Sequence, residues 1–589
     1  MRGSPHRLRR CCFCLSVVVA LAATAKAGDI YWKPGPGVPG DWFEPTNWNP
    51  GKVPTNADAA YISSSGTIVI TYGDAAAAYV YGGYSGSGTI SQSGGTLAVS
   101  GEPIVINGEL WPTAGELYLG YQVASSGTYE LSGSGELRAV VEYVGFMGTG
   151  VFRQTGGKHI VADWLCLGAW ITGSGTYELS GTGELTAGSE QVGLMGTGGF
   201  TQSGGSNSVT GTLFIGGTPG FSSTYLFTDG KLSAESQYVG YEGTGTFTQN
   251  GGVNTVGSEL VLGYRAGSSG TYELDSVGAQ LSALDQYVGY EGAGTFVQSA
   301  GSNQVAGTLW IGYEGGSNGT YETSGGTLDV ANLVVGGGTA GTLEINDASA
   351  QIAVSQKLRL RSKASIVAVS GAAIHMTGAA FENESTDPAA MAGLANLKLI
   401  FEGGAAALDS FEVAGRDFGA VAEGWIENFV LGGLTLGGAD AGRIQLVDLF
   451  DNQPDWEGQE ALYVEDLAFV GPGSGVDLNG LNLYFRNGGD PKQFSCGDAD
   501  LNGKVDGGDL AIWQQCYDPL GLNLNTFLMG DFNLDGKIDG GDLALWQQNY
   551  NPLGFKASGL ATAAMNPEPA SLCLLALGAA ALLSRRRRT

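Results

Sequence analysis

The chain has 589 residues, a formal net charge of −29 and 100 glycines. A hydrophobic content of 43% excludes a disordered polar polymer, and the lack of a Gly-X-Y period excludes collagen. So acidic a chain repels phosphate backbones, which argues against nucleic acid as a partner and for cations, calcium above all. The first segment reads as a processing signal: basic "MRGSPHRLRR", apolar "CCFCLSVVVALAATA" and the small-x-small "AKA" predict cleavage between Ala27 and Gly28, with residues 1–27 a signal peptide and the protein exported. Of seven cysteines, Cys11, Cys12 and Cys14 leave with that signal and Cys573 lies in a C-terminal apolar run. Cys166, Cys496 and Cys516 are too few for a disulfide scaffold. Cys496 and Cys516 flank an acidic loop, and either pair or stand as two separate thiols.

The middle of the chain is a repeat. "LYLGYQVASSGTYELSGSGEL" at Leu117 recurs in related form at Leu165, Leu213, Leu260 and Leu309, at spacings of 48, 48, 47 and 49 residues. Between the copies runs a second unit, "YVGFMGTGVFRQTGG" at Tyr143, repeated from Gln191, Tyr238 and Tyr287, with a degenerate copy at Tyr81. The period is therefore about 24 residues, alternating two flavours of one unit. Within "GTYELSG", Tyr129 and Leu131 share one face while Thr128 and Glu130 share the other, and glycines punctuate every few residues. A unit this short cannot bury its own apolar face, so units must stack. The expectation is an all-β fold, a parallel β-solenoid (β-helix) rod with one coil per unit. Its regular part, residues 79–345, holds about 11 coils and is roughly 50 Å long at ~4.8 Å per coil. Gln154, Gln202, Gln249 and Gln298 are expected to form an amide ladder from coil to coil. Glu130, Glu178, Glu273 and Glu322, a series interrupted by Leu226, read as a solvated row in preference to a row gripping cations or sugars.

The alternating "GTYELSG" and "GTFTQ-GG" units resemble the β-strand repeats of bacterial exported autotransporter-like proteins. "GDWFEPTNWNPGKVPTNADAAYI" (Gly40–Ile62) looks like the start that often precedes such repeats. Residues 28–78 are accordingly expected to cap the rod, with Trp42 and Trp48 covering the first coil. Residues 346–490 include a block, Phe411–Phe485, similar to a segment that follows these repeats in planctomycete surface proteins; they are expected to continue the solenoid irregularly.

Two stretches 33 residues apart, "DADLNGKVDGGDLAIWQQ" and "DFNLDGKIDGGDLALWQQ", nearly copy each other. An EF-hand-type loop takes oxygen ligands from positions 1, 3, 5, 7, 9 and 12, with Gly at 6. The first loop supplies Asp498, Asp500, Asn502, the backbone of Lys504, Asp506 and Asp509; the second supplies Asp531, Asn533, Asp535, the backbone of Lys537, Asp539 and Asp542. Gly503 and Gly536 stand at position 6. Each loop runs into a helix, on which Leu510 with Trp513 and Leu543 with Trp546 are spaced to pack the two helices together. A loop and helix written twice, without an entering helix, resembles a type I dockerin over residues 496–554. The resemblance implies two bound Ca2+ ions and docking to a cohesin-like protein, often in polysaccharide-degrading assemblies. Gly507-Gly508 and Gly540-Gly541 occupy positions where that family carries partner-contacting side chains, so calcium binding is the firmer of the two implications.

Residues 555–566 read as a linker. The last residues, 567–589, carry Pro567-Glu568-Pro569, fourteen apolar residues Ala570–Leu583 and the cluster Arg585–Arg588. Fourteen residues are short for a bilayer that needs about 20. The order resembles the PEP-CTERM sorting signal, which implies a C-terminal hydrophobic sorting helix, transient inner-membrane association and cutting by an exosortase-type protease near Pro567–Pro569. His159 and His375 have no neighbouring zinc ligands in sequence, and no phosphate loop is present. The expected function is an exported cell-surface structural or adhesive protein and not an enzyme. The alternative is a part, catalytic or not, of extracellular polysaccharide binding or degradation.

Overall fold

The structure is a computed structural model that describes residues 28–554 apart from 36–37, 102–103, 107–108, 112–114 and 404–407. Ala27, the linker 555–566 and the terminal segment with Pro567, Glu568 and Pro569 lie outside the described residues. As the 24-residue period predicts, the body is a parallel β-solenoid, of about 18 turns. Each coil contributes a strand to each of three ladders. In one coil these are Val141–Val144, Thr149–Gln154 and Lys158–Val161, after which Trp164–Leu167 returns beside the first. The ladders start with Gly28–Tyr31 against Asp58–Tyr61 and parallel pairing persists to Ala461–Val464 against Asn482–Phe485, but residues 346–490 continue the stack irregularly: the second ladder makes its last pairing at Ala364–Ala368, and Gly415–Arg416 pairs antiparallel with Glu460–Ala461. At the N-terminal end Trp42 and Trp48 are fully buried; Trp48 Nε1 donates to Trp42 O at 2.7 Å, and Trp32 meets Trp48 edge to face.

The abundance of glycine follows from the corners. Gly145 has φ +74°, and a Cβ there would lie 2.1 Å from the carbonyl oxygen of Ser174 in the next coil. Neither the left-handed conformation nor that approach leaves room for a side chain.

The two flavours of unit give two kinds of coil. On the second ladder, Tyr129, Phe152, Tyr177, Phe200, Tyr225, Phe247, Tyr272, Phe296 and Tyr321 are register partners in turn. Their buried rings stack at 4.5–5.0 Å with planes within 8°. On the third ladder His159, Asn207, Asn254 and Asn303 alternate with Leu137, Leu185, Leu232, Leu281 and Leu328. On the first, Glu142, Glu190, Gln237 and Gln286 alternate with Leu117, Leu165, Leu213, Leu260 and Leu309. Every second coil therefore buries three polar side chains, one per ladder, between coils that bury leucines.

The glutamines accordingly do not form the expected amide ladder. Gln154 faces Leu131 and Leu179 in register, which puts the next glutamine two coils away. Instead Gln154 Nε2 donates to Glu184 O at 3.0 Å, and its Oε1 accepts from Tyr177 OH at 2.6 Å. The tyrosine hydroxyl of the following coil is thus the link: Tyr272 donates to Gln249 and accepts from Asn254 Nδ2, while Asn254 and Gln237 exchange two amide bonds at 2.7 and 3.1 Å. Tyr321, Gln298, Asn303 and Gln286 repeat that network. Two earlier coils replace amides with ionisable groups. Asn207 Nδ2 donates to Glu190 Oε2 at 3.1 Å. His159, read from sequence as isolated, bonds Tyr177 OH through Nδ1 at 2.9 Å and lies 2.7 Å from Glu142 Oε2 through Nε2, off the N–H direction.

The expected carboxylate row is solvated: Glu178 pairs with Arg153 at 3.0 Å with both side chains near half exposure, and such pairs contribute little.

Burial pushes the Glu190 carboxyl up to about 8, with the Asn207 bond a smaller opposing cause, and Glu190 Oε1 and Asn207 Oδ1 lack partners. Raised in the folded state, this group leaves stability intact at low pH and erodes it as pH climbs from the ordinary carboxylate range through 8. Glu190→Gln, which installs the pair already present at Gln237 and Asn254, should raise the melting temperature at pH 8.5 and leave it unchanged at pH 4. The expected gain is a few kcal/mol, each tenfold change in proton affinity being worth ~1.4 kcal/mol. A pH-independent effect in thermal melts would contradict the assignment.

Candidate metal centre

The solenoid ends on an aromatic cluster. Phe469 stacks on Phe527 at a centroid distance of 4.9 Å, and Phe494 meets the same ring tilted by 36° at 5.4 Å. Two loops follow, 498–509 and 531–542, each leading into a helix: α1 (Gly507–Cys516) and α2 (Gly540–Gln548). In both loops positions 4 and 6 are left-handed: Leu501 and Gly503 at φ 53° and 82°, Leu534 and Gly536 at 58° and 81°. Two left-handed residues one apart curl the backbone so that its N–H groups point inward, toward the first aspartate.

That aspartate is fully buried in each loop. Asp498 accepts from the N–H groups of Asn502 at 3.0 Å and Gly503 at 2.9 Å; Asp531 accepts from Asp535 and Gly536, both at 3.1 Å. The twelfth residue closes the loop and caps the helix at once. Asp509 accepts from Ala499 and Asp506 N–H, each at 2.8 Å, and Asp542 does the same with Phe532 and Asp539. As N-caps, Asp506 and Asp539 accept from Gly508 and Gly541 N–H at 2.7 Å and also from the backbone of Asp509 and Asp542, the bonds that complete two capping boxes. Asp500, Asn502, Asn533 and Asp535 hold the N–H two residues ahead. Lys504 and Lys537 stand at position 7, where the backbone carbonyl is the expected donor.

Carboxylate oxygens of Asp498, Asp500 and Asp509 all lie within 4.8 Å of one another. Burial pushes Asp498 up to about 7 and Asp531 up to about 6, with the neighbouring carboxylates adding to the effect; Asp509 and Asp542 are raised for the same first cause. In the first loop two buried carboxylates and the exposed Asp500, aimed together and held by backbone dipoles, suit a hard cation.

The halves brace each other symmetrically. Trp513 Nε1 donates to Asp539 O at 3.1 Å and Trp546 Nε1 to Asp506 O at 2.9 Å. Short antiparallel bridges join Val505 to Asn551 and Ile538 to Asp518. The loops also attach to the rod: Arg443 Nη2 donates to Leu534 O at 2.7 Å, and Lys492 Nζ to Leu501 O at 3.2 Å, the position-4 carbonyl in both cases. The disulfide left open by the sequence does not form. Cys496 and Cys516 are free thiols, and Cys496 Sγ donates to Phe532 O at 3.4 Å. Gly28, the first residue after the expected cleavage point, opens the first strand.

A model of the PEP-CTERM protein-sorting motif matches residues 567–588. The chain carries a PEP-CTERM sorting signal. That signal implies export and sorting to the cell surface, consistent with processing by an exosortase-type enzyme. No curated protein and no solved structure matches the chain.

Asp509→Ala should strip three backbone N–H groups of their shared acceptor and remove one side of the α1 capping box. A cost of about 2 kcal/mol, the upper end of cap losses, is expected. Hydrogen exchange on the full chain should show protection lost at Ala499–Asp506 and along α1 with the solenoid amides unchanged; unchanged protection in the loop would contradict the role given to Asp509.

Proposed function

We propose that the protein is an exported, surface-displayed structural or adhesive rod whose terminal loops form a dockerin-like module holding two calcium ions. The observation that carries this reading is the duplicated loop: buried first and last carboxylates, left-handed positions 4 and 6, and matched backbone bonds, in a chain with a C-terminal sorting signal. Asp498, Asp500, Asn502, Asp506, Asp509 and the Lys504 carbonyl would hold one ion; Asp531, Asn533, Asp535, Asp539, Asp542 and the Lys537 carbonyl would hold the other. The ion supplies charge compensation that the loops otherwise lack, and its binding energy becomes folding energy of a small module. Cutting near Pro567–Pro569 would free the rod from transient inner-membrane association; intact mass of envelope protein tests this, and recovery of Arg585–Arg588 in the mature chain would refute it.

Calorimetry on the full chain should give two calcium ions bound, and Asp498→Asn with Asp531→Asn should abolish uptake; no uptake at about millimolar calcium would overturn the reading. The protons fix the direction of the pH effect. Without calcium, carboxyls raised to about 7 and 6 stabilise the module least at high pH, so its chelated melting point should fall between pH 5 and 8. Calcium replaces those protons, so the fall should vanish in its presence and binding should weaken below pH 6.

A cohesin-like protein and extracellular polysaccharide are the partners that the dockerin resemblance suggests.

A further inference from the structure

One ladder carries aromatic side chains on its outer side. Tyr31, Tyr61, Tyr81, Tyr118 and Tyr143 are register partners, with centroids 4.9, 4.7, 5.0 and 5.0 Å apart and planes within 18°. Beside them runs a second row, Tyr84, Tyr121 and Phe146, spaced 5.1 and 5.2 Å. Its planes stand 69–89° from those of the first row. Parallel rings separated by a coil but touching at ~3.5 Å must lean roughly 45° to the rod axis. Two rows leaning in opposite senses make a herringbone surface with one ridge per coil. The rings are half-buried, and Tyr31 and Trp170, which lies 6.5 Å beyond Phe146, are 46% and 39% exposed. A further aromatic stretch runs from Phe214 to Tyr313 on the same ladder and its adjoining turn.

Sheet stability does not require this. The outer side of the second ladder holds Thr128, Val151, Thr176, Gly199, Thr224, Thr246 and Thr271 in register, mostly threonine and without an aromatic ring, and its strands pair in the same parallel way. The aromatic side therefore offers something the threonine side does not: a periodic apolar surface bordered by acceptors such as Glu116, whose Oε2 takes the Tyr118 hydroxyl at 2.5 Å.

We infer that this stripe binds a neutral, linear polysaccharide of equatorially linked pyranoses lying along the rod. Such a chain presents flat C–H faces to aromatic rings, and its rise per sugar is close to the coil spacing of ~4.8 Å, so successive sugars meet successive ridges. Its hydroxyls donate to the flanking carboxylates. A polyanionic glycan is disfavoured by the net charge of −29. The inference extends the surface-rod reading but needs neither calcium nor C-terminal cutting, so its test is independent of theirs.

The test is affinity electrophoresis of the full chain in gels containing hydroxyethyl cellulose, with polygalacturonate as the anionic comparison. Retardation by the neutral glucan alone is expected, weakened at least tenfold by Tyr121→Ala and by the exposed Trp170→Ala, and unchanged by Glu130→Ala on the threonine side. Circular dichroism verifies that each variant keeps its β signal. No retardation by the glucan overturns the inference, as does equal retardation of wild type and both aromatic variants. Concentration-dependent self-association that Trp170→Ala abolishes, without glucan binding, would make the stripe a contact between copies and overturn it too.

Discussion

Everything in this molecule depends on successive coils lying in parallel register at the hydrogen-bonding distance of β-strands. A 24-residue coil has no interior of its own. Its apolar side chains become buried only when the coils above and below supply the rest of the core, and its backbone groups are paired only by those same neighbours. The register that pairs the backbone also superimposes side chains. Tyr129 falls on Phe152 and Phe152 on Tyr177 because their strands are bonded residue by residue. Each stacked pair adds ~0.5–1.5 kcal/mol beyond the area it buries. The same superposition on the outer side turns a repeated tyrosine into a continuous stripe.

Register also explains how the core tolerates polar residues. A buried amide or carboxyl costs free energy unless its partners are in place. Alternation of two coil types places each polar trio between leucine coils, while the tyrosine hydroxyl of the next coil reaches in to complete it. Where the trio is all amides, as at Gln237, Gln249 and Asn254, the side-chain bonds close. Where it contains Glu190, acceptor oxygens are left over and the carboxyl holds its proton to higher pH. In the paired loops near the C-terminal end, buried carboxylates are satisfied differently: backbone N–H groups gather around Asp498 and Asp531. The rod meets those loops at Arg443 and Lys492, which hold the two loops by equivalent carbonyls.

The period, the strand character and the stacking are legible in the sequence because each is a local or repeating property of the chain. The loop positions are legible for the same reason: acidic residues at fixed offsets around a glycine have one economical geometry. What the sequence conceals are relations between faces. Glu142 and His159 are 17 residues apart on different ladders, and their equivalence to Gln237 and Asn254 emerges only when coils are superimposed. The amide ladder fails because glutamine recurs with the longer, two-coil repeat, so that leucine and not glutamine stands above Gln154. Cys496 and Cys516 flank the same loop in sequence, yet the first bonds the second loop's backbone instead. The first tyrosine of a unit such as "YVGY" is outward by simple alternation, but the second, three residues on, joins it only through the left-handed turn at the intervening glycine, which alternation does not reveal.

The parallel stack itself is tested most directly by small-angle X-ray scattering from the purified chain. About 18 turns at ~4.8 Å predict a pair-distance distribution skewed to long vectors and extending to at least roughly 90 Å, with the cross-section of a rod. A symmetric distribution ending near roughly 60 Å, the diameter of a globule of this length, would contradict the solenoid and everything built on its register.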